Sequence, residues 1–191
     1  MLLDQIVNII QKGFLMPLIQ TISPEEATGE VAKLYKVIEA MGRTVGNNAQ
    51  LLSISPELLR QQMDFIKFYM NHPTLSMPLL AAIRIMVSSG EECQFCIDYN
   101  TGMLINMAEW TFDQVTEMRK DPKSSNLPER ELAMLLLAIK AVRIAHSVNA
   151  DDLNKLREMG WSDSDILDAV SHATRMLATD IIFNTFKIEN N

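Results

Sequence analysis

Apolar residues recur along this chain every three or four positions, and capping residues separate the apolar runs. The clearest run covers positions 79 to 87, where apolar side chains share one side of a helix that Ser76 and Pro78 begin and Gly90 ends. Alternating apolar and polar positions, the pattern typical of strands, are nearly absent. The pattern predicts an all-α protein of about eight or nine helices in a single domain.

Capping signals predict the boundaries of the other helices. Except for the helix that carries the two cysteines, each predicted start has a serine, threonine, asparagine or proline, and most ends have a glycine or a following proline. The predicted helices run from the capping box at Ser23–Glu26 to Met41, from Ser55 to just before His72, through both cysteines to about Met107, from Thr111 to about Lys120, from Glu129 to about His146, from Asn149 to Gly160, and from Ser162 to about Phe186.

The N-terminal segment is apolar enough to raise the question of a signal peptide. It has no positively charged start, Asp4 and Lys12 interrupt it, and no small-residue cleavage site follows. Its apolar positions recur at helical spacing. We therefore expect an amphipathic helical arm over residues 1–19, a helical domain over residues 20–191 and a cytoplasmic location, where thiols stay reduced.

Composition narrows the range of partners. The 191 residues carry a net charge of −7 with no basic stripe, which disfavours nucleic acid and anionic lipid as partners. No apolar run approaches the roughly 18–20 residues that span a bilayer, so we expect no membrane insertion. Hydrophobic residues make up 48% of the chain, more than one small core readily buries, and this favours a homo-oligomer.

The only two cysteines, Cys93 and Cys96, lie in the stretch EECQFCIDYN. Three positions apart on a helix, they share a face and can form a disulfide. Gly90 lies just upstream, so both thiols are expected early in a helix, where the helix dipole lowers a thiol pKa. Glu91 and Glu92 act in the opposite direction. A redox dithiol, half of a metal site and a buried structural pair all remain open.

Metal binding is the weaker of these interpretations. A structural zinc site needs four ligands, usually from a second cysteine pair or a closely spaced histidine pair. The three histidines, His72, His146 and His172, are scattered without such spacing. We therefore predict no metal and no cofactor.

The segment MPLLAAIRIMVSSGEECQFCIDYN resembles the core of the AhpD-like, carboxymuconolactone decarboxylase family: a long apolar helix, a turn of small residues, a CxxC motif and a further helix. ISPEEATGEVAKLYKVIEA resembles the N-terminal region of the peroxidase-related branch, and LPERELAMLLLAIKAVR with DDLNKLREMGWSDSDILDAV resembles the C-terminal half. The resemblance covers residues 20 to 186 and implies an AhpD-like multihelical fold.

The resemblance also implies roles for the two cysteines. Cys96 would be the thiol that attacks a peroxide and Cys93 the thiol that resolves the sulfenic acid, with a thiol or a lipoyl-bearing protein as reductant. The family's glutamate–histidine proton relay does not carry over, because its positions fall on Ala81 and Asn100. Asn100 cannot accept a proton at neutral pH, although an amide can bind water or a thiolate. His146 and His172 are candidate replacement bases.

Three functions follow. The first is a CxxC dithiol oxidoreductase that reduces hydroperoxides slowly or exchanges disulfides without the usual relay. The second is a non-redox protein similar to the decarboxylases of the same family, and the third is a helical oligomer whose catalytic relay has decayed. A measured thiolate pKa would separate the first function from the other two, and an ordinary value near 8.5 would favour the third.

Overall fold

The structure is a computed structural model that describes residues 18–189. This part of the chain contains nine α-helices and no strand, as the sequence predicted. The helices are α1 (Gly29–Ala40), α2 (Asn47–Leu52), α3 (Pro56–Met70), α4 (Met77–Gly90), α5 (Gln94–Ala108), α6 (Phe112–Lys120), α7 (Glu129–Ile144), α8 (Ala150–Glu158) and α9 (Asp163–Phe186). None of them combines the length and apolar character needed to cross a bilayer.

The capping signals account for most of these boundaries. Ser76 accepts a hydrogen bond from the backbone N–H of Leu79 and begins α4. Thr111 and Asn149 both form capping boxes, which satisfy backbone donors that the first helical turn leaves without partners. Gly160 adopts a left-handed φ of +83° just after α8, a conformation in which a residue with a Cβ is strained.

Two features in the N-terminal part differ from the prediction. Ser23 and Glu26 form their reciprocal hydrogen bonds, yet these close only a turn, so the predicted helix start at this capping box is wrong. The helix begins instead at Gly29, whose φ of +55° separates the turn from α1. The short helix α2 follows Gly46, which has no side chain for capping, and no sequence signal predicted it.

The described residues form two compact units. One comprises the residues up to Asp64 and those from Phe183 onward, and the other runs from Phe65 to Ile182. The first unit has its own small core, in which the Tyr35 hydroxyl lies 2.7 Å from the Ser53 hydroxyl. Apart from its last two residues, the predicted N-terminal arm lies outside the described residues, and the boundary at residue 20 stays a prediction.

Helix α4 lies at the centre of the second unit and packs against α5 and α7. Its apolar side chains point in all directions and are buried, which explains why its sequence is apolar almost throughout. Burial of so many large side chains is the main stabilising contribution that this unit can draw on. The polar side chains of Arg84 and Ser88 on α4 therefore need partners. Arg84 finds them on α5 and α9, and Ser88 finds one on α9.

Candidate dithiol site

The two cysteines lie at the start of α5, immediately after the turn that follows α4. Cys93 is the N-cap residue, and Cys96 lies in the first helical turn, as predicted. The N–H of Cys93 donates to the carbonyl oxygen of Ser88 at 3.0 Å, which ties the dithiol to the end of α4. Glu92, directly before Cys93, has a left-handed φ of +53° in the turn between the two helices.

Both thiols are reduced and buried, and a carboxylate lies beside them. The exposed fraction is 1% for Cys93, 3% for Cys96 and 0% for Asp180, which α9 contributes. The two sulfur atoms and a carboxylate oxygen of Asp180 all lie within 4.8 Å of one another. The Ser88 hydroxyl donates to Oδ1 of Asp180 at 3.0 Å. These four residues, Ser88, Cys93, Cys96 and Asp180, form what we call the thiol cluster.

Asp180 was not among the residues predicted from the sequence, although a signal for it exists. The buried residues of α9 recur every three or four positions and include Ile166, Ala169, Ala173 and Met176. Continuing this period places Asp180 on the buried face, while its apolar neighbours Ile181 and Ile182 are 54% and 38% exposed. An acid in phase with the apolar stripe of a helix is a buried polar group that needs explanation.

Burial dominates the electrostatics of Asp180. It raises the pKa of this carboxyl from its ordinary 3.8 to about 6 because the ionised form loses its water. Hydrogen bonds from Ser88 and from the two thiols act in the opposite direction, and the negative charge of Glu91 adds to the increase. Asp180 therefore exchanges its proton close to neutral pH.

The thiol of Cys96 is held in its protonated form. Its pKa is raised, first by the hydrogen bond with Cys93, then by burial and by the negative charge of Asp180. These influences outweigh the lowering expected from the N-terminus of α5. The position of the cysteines at the start of a helix was predicted correctly, whereas the pKa of Cys96 is shifted in the direction opposite to the one that this position favours.

Asn100 is buried and bonds to the backbone of Cys96. Its Nδ2 donates to the carbonyl oxygen of Cys96 at 2.7 Å, and its Oδ1 accepts from Nε of Arg84 at 2.5 Å. Asn100 thus positions the first turn of α5, and neither of these bonds involves a thiol. The predicted role of this amide as a partner of the Cys96 thiolate stays a prediction.

His172 belongs to a second polar group, which it forms with Arg84 and Asn100. Arg84 on α4 and Asn100 on α5 each lie one helical turn from a member of the thiol cluster. Its Nε2 lies 3.0 Å from Nη1 of Arg84 and accepts that hydrogen bond, because a guanidinium only donates. Burial and the charge of Arg84 lower the pKa of His172 to about 3. The Arg84 side chain also donates to Asn100 and to the sulfur of Met103, at 3.5 Å. With its free lone pair occupied, His172 is a poor candidate base for Cys96.

The other two histidines also lie apart from the dithiol. His146 is exposed in the short 3₁₀ turn that follows α7. His72 lies 3.2 Å from a carboxylate oxygen of Asp168 and accepts a hydrogen bond from the N–H of Leu75. Neither histidine is part of the thiol cluster. Of the replacement bases considered from the sequence, none is placed beside Cys96, and Asp180 occupies that position instead.

The thiol cluster contains three potential metal ligands. Two thiolates and a carboxylate suit a soft divalent cation, but a structural zinc site has four protein ligands. No histidine of the described residues joins the cluster. The absence of a metal stays a prediction. Three ligands are one fewer than a structural zinc site uses, whereas a redox dithiol needs only the two thiols.

Comparison with known proteins places this fold. No sequence model of a known family matches the chain, and no curated protein does. Among solved structures, an alkylhydroperoxidase AhpD core, peroxidase-related protein from Ralstonia eutropha matches with a TM-score of 0.81 and 18% identity, over 93% of this chain and 94% of that one.

Two further structures agree. An uncharacterized peroxidase-related protein from a Silicibacter species matches with a TM-score of 0.75 and 21% identity, over 93% of this chain and 91% of that one. A protein of unknown function from Agrobacterium tumefaciens, described as a candidate AhpD antioxidant defence protein, matches with a TM-score of 0.60 and 17% identity. The match covers 74% of this chain and 95% of that one. The chain therefore has an AhpD-like all-α fold, which confirms the predicted fold class.

Proposed function

We propose that this protein is a dithiol oxidoreductase in which Cys93 and Cys96 reduce a hydroperoxide or exchange with a disulfide. The observation that supports this function best is the pair of reduced thiols, three positions apart and buried beside one carboxylate. The fold is shared with structures described as peroxidase-related, and this likeness is in keeping with the proposal.

The proposed reaction has two steps in the protein. The sulfur of Cys96 attacks the terminal oxygen of the hydroperoxide, the O–O bond breaks, and the leaving alkoxide takes up the thiol proton and becomes an alcohol. Cys96 is then a sulfenic acid, in which the sulfur has lost two electrons. The thiol of Cys93 attacks that sulfur, the S–O bond breaks, and a disulfide and water form. A dithiol reductant, of the lipoyl type or another thiol, returns two electrons and two protons.

The rate of this reaction is expected to be modest. The sulfur nucleophile is the thiolate, and the raised pKa of Cys96 keeps the thiol protonated at rest. Losing a positioned general base typically costs about 10²–10⁴-fold in rate. Turnover should therefore be slow unless a residue beside Cys96 accepts its proton.

We also propose that the chain forms a homo-oligomer in a reducing cytoplasm. Several large apolar side chains are exposed on the single chain, among them Leu167 at 68%, Phe112 at 66% and Met107 at 64%. Contact between copies would remove such side chains from water. Light scattering at micromolar concentration should give a mass above that of one chain, and a monomer would refute this part of the proposal.

The experiment that tests the function is oxidation of the reduced protein by an organic hydroperoxide, followed by intact mass. The wild-type protein should lose two hydrogens as the Cys93–Cys96 disulfide forms. Cys93→Ser should instead gain one oxygen at Cys96 and react with a sulfenic acid reagent, because the resolving thiol is missing. Cys96→Ser should stay unmodified.

Two results would contradict the proposal. If the folded wild-type protein keeps both thiols in excess hydroperoxide and in excess disulfide, the dithiol is structural, and a non-enzymatic helical oligomer becomes the better interpretation. If Cys96→Ser reacts as Cys93→Ser was expected to, the roles of the two cysteines are exchanged.

A further inference from the structure

The thiol cluster raises a chemical problem that the dithiol alone does not solve. The Cys96 thiol is buried, only 3% exposed, and must lose its proton to act as a nucleophile. Water reaches it poorly, and the residues at the family's relay positions, Ala81 and Asn100, cannot accept the proton. A group in contact with the thiol must therefore take it. Among the histidines, aspartates and glutamates of the described residues, Asp180 is the one that joins the cysteines in the cluster.

The surroundings of Asp180 leave one of its oxygens available. From α4, the Ser88 hydroxyl donates to Oδ1 and fixes the orientation of the carboxylate. Oδ2 is buried and has no hydrogen-bond partner of normal geometry within the described part of the chain. The other donors that act on the carboxylate are the thiols of Cys93 and Cys96 on α5, and the nearby charge is that of Glu91. A buried carboxylate with so few donors is costly in its ionised form, and accepting a proton removes the buried charge.

We propose that Asp180 is the general acid–base residue of the dithiol, and that it transfers the Cys96 proton to the leaving alkoxide. This inference rests on the proposed function. As the sulfur–oxygen bond forms, the S–H proton moves to the carboxylate and the O–O bond breaks. The neutral carboxylic acid then protonates the alkoxide, which leaves as an alcohol, and Asp180 returns to its ionised form. Proton and charge balance within the step, so no further base is required.

The electrostatics suit this role. A general base works best when its pKa is near the pH of the reaction. Burial raises the pKa of Asp180 to about 6, so at neutral pH the carboxyl is mostly ionised and yet accepts a proton readily. The same negative charge keeps Cys96 protonated at rest, so proton transfer accompanies the attack rather than preceding it.

The test measures the rate of Cys93–Cys96 disulfide formation with an organic hydroperoxide as a function of pH. In the wild-type protein the rate should rise through an inflection near 6, the pKa of Asp180, and then level off. Asp180→Asn should remove this inflection and lower the rate at neutral pH by about 10²–10⁴-fold. Asp163→Asn is the matched control, since Asp163 lies on the same helix, pairs with Arg157 at the surface and should leave the profile unchanged.

Ser88→Ala supplies an independent variant if Asp180→Asn fails to fold. Removing the hydroxyl that donates to Oδ1 should raise the pKa of Asp180 and move the inflection to higher pH. An Asp180→Asn protein with the wild-type rate and profile would overturn the acid–base role alone, as would an unmoved inflection in Ser88→Ala. A folded wild-type protein that forms no disulfide would overturn the proposed function and, with it, this role.

Discussion

The stability of the Asp180→Asn variant is the sharpest measurement of how the thiol cluster is built. Asp180 is fully buried, and burying an ionised carboxylate is unfavourable unless its partners compensate. An asparagine has nearly the same shape, keeps an oxygen that can accept from Ser88 and carries no charge. We therefore expect the variant to be more stable than the wild-type protein at neutral pH.

The magnitude follows from the pKa. The pKa of Asp180 rises from 3.8 in the unfolded chain to about 6 in the folded protein. At about 1.36 kcal/mol per pKa unit, the ionised side chain destabilises the folded state by about 3 kcal/mol relative to the protonated one. The new amide N–H groups need acceptors, which reduces the gain, so an increase of about 1–3 kcal/mol is expected at pH 7.

The direction of the pKa shift determines the pH range in which Asp180 affects the stability of the protein. Because the folded state holds this proton to a higher pH than the unfolded state, the stability that it provides is complete below pH 3.8 and is lost as the pH rises through 6. His172 has the opposite effect. Its pKa falls from 6.5 to about 3, so the stability of its neutral form is complete above pH 6.5 and is lost as the pH falls through 3.

The assay therefore measures the difference in stability between two proteins, rather than the pH dependence of the wild-type protein alone. Urea unfolding of the wild-type protein and of Asp180→Asn between about pH 4 and 8 gives a difference in which the His172 contribution cancels. That difference should be smallest near pH 4 and reach its full size above pH 6. A variant that is less stable than the wild-type protein at pH 7, or a difference independent of pH, would show that Asp180 is not a buried, weakly compensated acid.

Three further predictions concern the surrounding fold. Leu135→Ala should lower the free energy of unfolding by about 2–5 kcal/mol, because this side chain of α7 is fully buried; a loss below that range in urea titration would mean that the core collapses around the gap. Asn149→Ala should cost about 1 kcal/mol through the lost cap of α8, and an unchanged stability would show that the cap is dispensable. Arg84→Gln should raise the pKa of His172, since the Arg84 charge helps to lower it, and an NMR titration with no change would contradict this account.

Much of the fold could be predicted because helix boundaries are local. Ser76, Thr111 and Asn149 satisfy backbone donors within three residues of themselves, so the sequence around each carries the information. Ser23 is the instructive exception. Its capping box forms, yet whether a helix continues after the first turn depends on the residues that follow, and Gly29 interrupts this one.

Less of the site could be predicted from the sequence, because its chemistry depends on burial and on segments that are distant along the chain. Cys93 and Cys96 were found from their spacing, but the direction in which the pKa of Cys96 is shifted depends on its neighbours in space. Asp180 lies far along the chain from both cysteines, and no motif links them. Its position in the apolar stripe of α9 predicts burial, whereas its contact with the thiols required the structure.

The burial of the two cysteines makes each thiol a sensor of native-state fluctuations. At 1% and 3% exposure, neither thiol can meet a bulky alkylating reagent in the closed conformation. Labelling must then wait for a local opening, and its rate reports the equilibrium constant of that opening, as amide hydrogen exchange does. Because the chain has no other cysteine, all of the signal comes from this pair. The same opening would set which oxidants reach the pair, since a small peroxide needs a smaller fluctuation than a large lipid-like one.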